Sequence, residues 1–462
     1  MRWWSPTVRV TALAVLSGAV CLPFAGRALS PDEGGLLILG GQWSPGSSLY
    51  GDFFVDRPPL LIALFSLAEA LGGSAWVVRG LGVVAVVAAV LLAGLVGRLA
   101  ADAPVPTAAT AAALVCTPLF GGTVVNGELL GLPFLIGGSA AVLAAARNDD
   151  WLRWALLAGA LGACGALIKQ SLLDVFVLAA VLLVLRRRVR ALAAVAAGGV
   201  GTFAVAVALA ATRGTSPGEL WQAVVVFRHD AGAVITQSAT SATTQRLGAL
   251  LLALAGTGVP LLVVALARRL RVPADLRWPA LAMLTWELLV VLAGGSYWLH
   301  YLMGLVPGLV LLTAAALQFR PRPDRLLRTS YAVLAASTAI ALTWALVDPV
   351  ERPEAPAVAW LDQHARPGDT AVVAFGAANI LHSADLRSPY PDLWSLPVRV
   401  HDPALADLGA LLAGPARPTW LVVAGESLAT WGVDATAADL VMHEHYTEAA
   451  TAGRWTIWTE RP

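Results

Sequence analysis

GLGVVAVVAAVLLAGLVG, residues 80–97, lies between Arg79 and Arg98 and contains no charged residue. A helix needs about 20 apolar residues to cross the hydrocarbon of a bilayer, and a run of this length without a charge reads as such a helix. Runs of the same kind recur along the chain, centred near Leu16, Val87, Leu114, Gly137, Leu161, Leu178, Val200, Leu252, Leu289, Leu309 and Thr338. The composition agrees: 58% of the 462 residues are hydrophobic and 13% charged, against about 25% charged in soluble domains. A water-soluble core cannot hide that much apolar surface. The sequence therefore predicts a mainly α-helical, polytopic membrane protein with about eleven transmembrane helices.

The basic residues orient those helices. Lys and Arg collect on the cytoplasmic side of short loops. With the N-terminus inside, inner segments carry seventeen of the 31 basic residues, outer segments carry seven, and the tail after Val347 carries seven. Arg2 and Arg9 before an apolar run resemble the start of a secretory signal, but no convincing small-residue cleavage site follows, so the run is expected to stay as the first span. The expected location is a bacterial plasma membrane, crossed many times, with the C-terminal domain outside. A single lysine among 31 basic residues and the abundant alanine suggest a high-GC bacterial genome.

Residues 1–347 thus form a membrane domain whose first outer loop is 27–75, and 348–462 form a small extracytoplasmic α/β domain. Fifteen of the 30 acidic residues fall in this last quarter. Its pattern reads as helix (356–364), strand (370–375), helix (403–412), strand (419–424) and strand (454–458). Pro59 to Leu71 is too short to cross and is expected to lie along the interface.

Several function classes drop out. A net charge of +1 argues against a nucleic-acid partner. Cys21, Cys116 and Cys164 all sit in apolar runs, which suggests neither a disulfide frame nor a zinc site. There is no P-loop, nucleotide-binding glycine fingerprint, H-E-x-x-H or nucleophile elbow, so no nucleotide cofactor is expected.

Unusual polar residues concentrate on the outer side. Ser30-Pro31-Asp32-Glu33 fits a helix start in which Ser30 is the N-cap, Pro31 the first helical residue and Glu33 the partner in a capping box. Asp32 is left less explained; a carboxylate pair there also suits a general base or a cation site. In Asp56-Arg57-Pro58-Pro59 the prolines force extension. Arg57 reads either as a snorkelling arginine paired with Asp56 or as a clamp for a lipid phosphate. Asn126 fits an N-cap, with Glu128 beside it. Lys169 lies in an otherwise apolar hairpin, either snorkelling or touching a polyprenyl phosphate. Arg228-His229-Asp230 occupies the longer outer loop 212–244, where a lone histidine with one acid is weak evidence for a metal. Tyr297-Trp298-Leu299-His300-Tyr301 reads mostly as an interfacial aromatic belt opening the tenth span, with His300 also suited to acid–base chemistry or hydroxyl binding.

In their order and common sidedness these segments resemble the integral-membrane glycosyltransferases of the GT-C fold that use polyprenyl-phosphate sugars, a superfamily that includes the protein O-mannosyltransferases and the lipid A aminoarabinose transferase. The resemblance implies transfer of a hexosyl or pentosyl unit from a polyprenyl-phosphate donor to a hydroxyl on a glycan, lipid or protein of the cell envelope. It makes Asp32, with Glu33 beside it, the expected catalytic carboxylate and Glu128 a second functional acid. Arg57, where a lysine is common, together with Lys169 and Arg228, would bind the donor phosphate; Asp56, Asn126, Tyr297, His300 and Tyr301 would line the substrate site. For the divalent metal ion seen in some relatives, this sequence offers Asp56 and His229. The rival reading is a transporter or flippase of lipid-linked sugars, but the internal repeats and broken helices typical of carriers are not visible in the sequence.

Overall fold

The structure, a computed structural model, describes residues 5–43, 48–237, 241–270, 275–349 and 352–461. Arg2, Arg271 and residues 238–240 of the long loop lie outside the described residues.

Each of the eleven expected centres falls in a helix. Among the described residues, seven helices are individually long and apolar enough to cross a membrane: Pro6–Phe24, Ala75–Ala101, Gly127–Ala145, Trp151–Ile168, Val189–Thr212, Leu299–Leu317 and Arg325–Val347. The remaining centres lie in the shorter apolar helices Pro104–Cys116 and Asp174–Leu185, in Arg277–Ala293, and in a pair, Ala242–Gly256 and Val259–Arg269, bent by 59°. This break is not apparent from hydropathy. Gly258 adopts φ 80°, a left-handed conformation open to glycine, and Pro260 follows in the first turn of the next helix, so the hydrogen-bond ladder cannot run through.

The chain divides into two compact units. The first comprises Met1–Gly26, Trp76–Ala208 and Ala239–Pro349 and contains most of the spanning helices. The second comprises Arg27–Ala75, Leu209–Ser238 and Val350–Pro462. The expected first loop and C-terminal domain are therefore parts of one unit, joined by a third segment, 209–238. That segment is itself helical, with Pro217–Trp221, a π-helical turn Gln222–Val226 and Phe227–Gln237.

The second unit is built on a four-stranded sheet: β1 (Ala371–Ala374), β2 (Trp420–Ala424), β3 (Tyr446–Ala452) and β4 (Trp455–Glu460), in the order β1-β2-β4-β3. β1 and β2 are parallel, and the remaining pairs are antiparallel. Alternate residues point to opposite faces, so one set of core residues (Val372, Ala374, Leu421, Val423) builds one hydrophobic core and the other (Ala371, Val373, Val422, Ile457) builds a second. Ile38 and Phe53 of the first loop pack on the second core, which fastens the loop to the sheet. The predicted interfacial segment is the helix Pro59–Ala70. The expected strands at 370–375, 419–424 and 454–458 correspond to β1, β2 and β4; β3 was not anticipated.

Candidate active site

In the second unit, Ser30 caps the helix Pro31–Gln42. Its hydroxyl accepts from the Glu33 amide at 3.3 Å, and Glu33 Oε2 accepts from the Ser30 amide at 2.8 Å. The capping box separates the two acids that the sequence left as a pair: Glu33 is fully buried and engaged by its own helix start, while Asp32 is exposed. One oxygen of Asp32 accepts a hydrogen bond from Trp394 Nε1 at 3.0 Å. At the other end of the helix Gln42 donates to the carbonyls of Leu49 and Phe53 and accepts from the Phe53 amide, so the same helix holds the segment leading to Asp56. Gly40 allows this helix to cross the next closely; a Cβ there would lie 2.6 Å from the Phe65 backbone.

Asp56 is buried and shared by two guanidiniums, Arg57 Nη1 at 2.5 Å and Arg228 Nη1 at 2.6 Å. Burial works to raise its pKa, but the two arginines outweigh burial and hold the carboxyl below its ordinary range. Arg228 arrives because its neighbour Phe227 packs against Phe54, ring centroids 4.8 Å apart, and both rings touch His401, whose Nδ1 lies 3.2 Å from Asp392. That contact lifts the His401 pKa above its usual value. Both arginines remain about one-third exposed, at 34% and 37%. The cluster therefore presents two cationic groups and one anion, a composition suited to phosphate.

The metal expectation does not fit this geometry. Asp56 is committed to two guanidiniums, His229 is an exposed helix residue, and no group of three metal-ligating side chains exists among the described residues. A divalent ion needs several convergent ligands.

A second cluster lies in the membrane unit. Asn126 Oδ1 accepts from the Leu129 amide at 2.9 Å and caps the helix Gly127–Ala145, as the spacing suggested. Glu128 in its first turn is buried and receives Lys169 Nζ at 2.5 Å. The same ammonium sits 4.3 Å from the centre of the Tyr301 ring, which meets His300 edge to face. His300 and Tyr301 open the span Leu299–Leu317 as expected, but its first turns are not α-helical. They lie on a 3-10 run, Leu299–Leu305, before the helix Val306–Leu317, and Tyr297 precedes them at φ 53°. Arg79, one of the seven basic residues assigned to outer segments, is buried in its helix and donates to the carbonyls of Phe24 and Thr123.

The sequence reading missed Trp394, Phe54, Phe227 and His401, and it passed over Asp174 and Glu287. Glu287 carried a signal, an acid inside an apolar run. It is buried, and its Oε1 accepts from the Gly308 amide at 2.7 Å; a side chain at position 308 would strike this carboxyl.

ArnT from Cupriavidus metallidurans bound to undecaprenyl phosphate superposes with a TM-score of 0.66 at 17% identity, over 98% of this chain and 97% of that one. The fold is GT-C. The Archaeoglobus fulgidus oligosaccharyltransferase, in a complex with Zn and sulfate, matches with a TM-score of 0.55 at 13% identity, over 97% of this chain and 73% of its own. The arabinofuranosyltransferase AftD from Mycobacteria gives 0.52 at 17% identity, over 98% of this chain and 40% of its own. No protein-family model matches the GT-C chain, and no curated protein matches it by sequence.

Proposed function

We propose that this chain is a membrane glycosyltransferase that moves a hexosyl or pentosyl unit from a polyprenyl-phosphate donor to a hydroxyl acceptor of the cell envelope. The observation that carries the reading is a single compact unit, within a GT-C fold, that holds both an exposed carboxylate, Asp32, and a cationic clamp, Arg57 with Arg228. Asp32 takes the proton of the acceptor hydroxyl as its oxygen bonds to the anomeric carbon. The bond from that carbon to the donor phosphate breaks, and the two guanidiniums offset the charge left on the polyprenyl phosphate. Glu33 builds the helix start that carries Asp32. Asn126, Glu128, Lys169, Tyr297, His300 and Tyr301 form a separate substrate-facing group.

The distribution of arginines supports a cytoplasmic N-terminus and a reaction on the outer face of a bacterial plasma membrane, with the acceptor a glycan, lipid or protein. Purified protein in lipid nanodiscs, given a polyprenyl-phosphate sugar and an envelope glycan extract, should transfer labelled sugar, and Asp32→Asn should lower the rate at least 100-fold, on the order of what a general base contributes. The bent helix pair Ala242–Gly256 and Val259–Arg269 favours a flippase instead. Movement of intact lipid-linked sugar across proteoliposomes without any transfer would establish that alternative instead.

A further inference from the structure

A short strip of the C-terminal part, Pro391 to Trp394, touches two segments of the loop that carry the proposed chemistry. The Pro391 carbonyl accepts from the Phe54 amide at 3.1 Å, two residues before Asp56. Trp394 Nε1 donates to Asp32 Oδ1 at 3.0 Å. Between them, Leu393 is buried in the core beside the sheet, and its carbonyl accepts from the Gly376 amide at 3.0 Å. The strip is thus fixed to the domain and holds two loop segments at once.

Sequence features of the Asp32 helix match this arrangement. A Cβ on Gly35 would collide with the Trp394 ring, and one on Gly34 would run into the Asn379 backbone. Asn379 Nδ2 also donates to the Leu29 carbonyl at 3.1 Å, just ahead of the helix cap. The two glycines let the first turn rest directly on the C-terminal part.

We propose, resting on the glycosyltransferase reading above, that Trp394 is a positioning residue for Asp32. An exposed aspartate in a first helical turn otherwise samples several rotamers, and a displacement of about 1 Å at a reacting group costs on the order of 100-fold in rate. An indole N–H only donates, so it holds one carboxylate oxygen without competing for the acceptor proton, and the second oxygen is left for that proton. Because the same strip holds Phe54, it also sets the spacing between the base and the Asp56-Arg57 segment.

Trp394→Phe keeps an aromatic side chain and removes the donor. In the nanodisc assay with polyprenyl-phosphate sugar it should lower kcat about tenfold, the loss expected for one hydrogen bond to a charged group, with the donor KM changed less than about twofold and the thermal unfolding midpoint unchanged. Combined with Asp32→Asn it should cost nothing further, since the group it positions is gone. Wild-type kcat in Trp394→Phe, or the same tenfold loss repeated in the Asp32→Asn background, would overturn the proposal. If Trp394→Phe does not fold, Gly35→Ala, which displaces the indole, should give the same loss in kcat alone, and a normal kcat there overturns it equally. Asp32→Asn with full transfer activity would instead bring down the base assignment itself, and the positioning role with it.

Discussion

The acid–base clusters around Asp56 and Glu128 differ in their charge balance. In the second unit one buried carboxylate, Asp56, faces two guanidiniums that stay partly exposed. In the membrane unit one buried carboxylate, Glu128, faces one ammonium, which is capped by the Tyr301 ring and only 18% exposed. The first arrangement keeps a surplus positive charge where an anion can reach it. The second is neutral as a pair, and its ammonium is already bound on two sides. The first charge balance suits the phosphate role proposed for Arg57 and Arg228; the second ties the helix Gly127–Ala145 to the 169 hairpin and the 3-10 run at 299–305.

The largest expected effect sharpens that contrast in activity. Arg228→Ala, and separately Arg57→Ala, should each lower sugar transfer by on the order of 100-fold, the scale seen when a donor to developing negative charge is removed. Lys169→Met in a folded preparation should lower it less than about tenfold. Initial rates at saturating donor make the comparison, and equal losses at all three positions would dissolve the distinction.

Stability should rank the clusters the other way. Glu128→Leu leaves an ammonium buried without its partner and should destabilise by about 3 kcal/mol, read from thermal unfolding in nanodiscs. The double substitution Glu128→Leu and Lys169→Met removes both charges and should recover most of that loss. A double variant as unstable as Glu128→Leu alone would mean that the pair is not the cause.

A smaller effect probes the helix that carries the proposed base. Ser30→Ala removes one half of the capping box and should cost about 1 kcal/mol. Part of the loss should appear as weaker activity, because Asp32 sits in the turn that loosens.

The smallest effect is in pH. The folded pKa of Asp56 is depressed, so its share of stability is present above the unfolded value, near pH 4, and disappears as pH falls through the lower folded value. The folded pKa of His401 is raised by Asp392, so its contribution is complete below about pH 6.5 and fades as pH rises through the higher folded value. Unfolding midpoints should therefore drop at both ends of the pH range. His401→Gln should flatten the alkaline side only.

What the sequence determined by itself is what depends on near neighbours. The centres of the spanning helices, the Ser30 and Asn126 caps, the Asp56–Arg57 contact and three of the four strands were legible, because hydrophobic period and capping act over a few residues. β3 escaped because its stretch, YTEAATA, is buried only at its ends and shows little apolar alternation. Tertiary structure alone decided which distant groups meet: Arg228 on Asp56, Lys169 on Glu128, Trp394 on Asp32. It also decided that Glu33 turns inward to its cap while Asp32 stays exposed, a distinction invisible in two adjacent acids. These contacts span from 41 to 362 residues of chain, and their energies exist only once packed helices and the sheet bring the surfaces together.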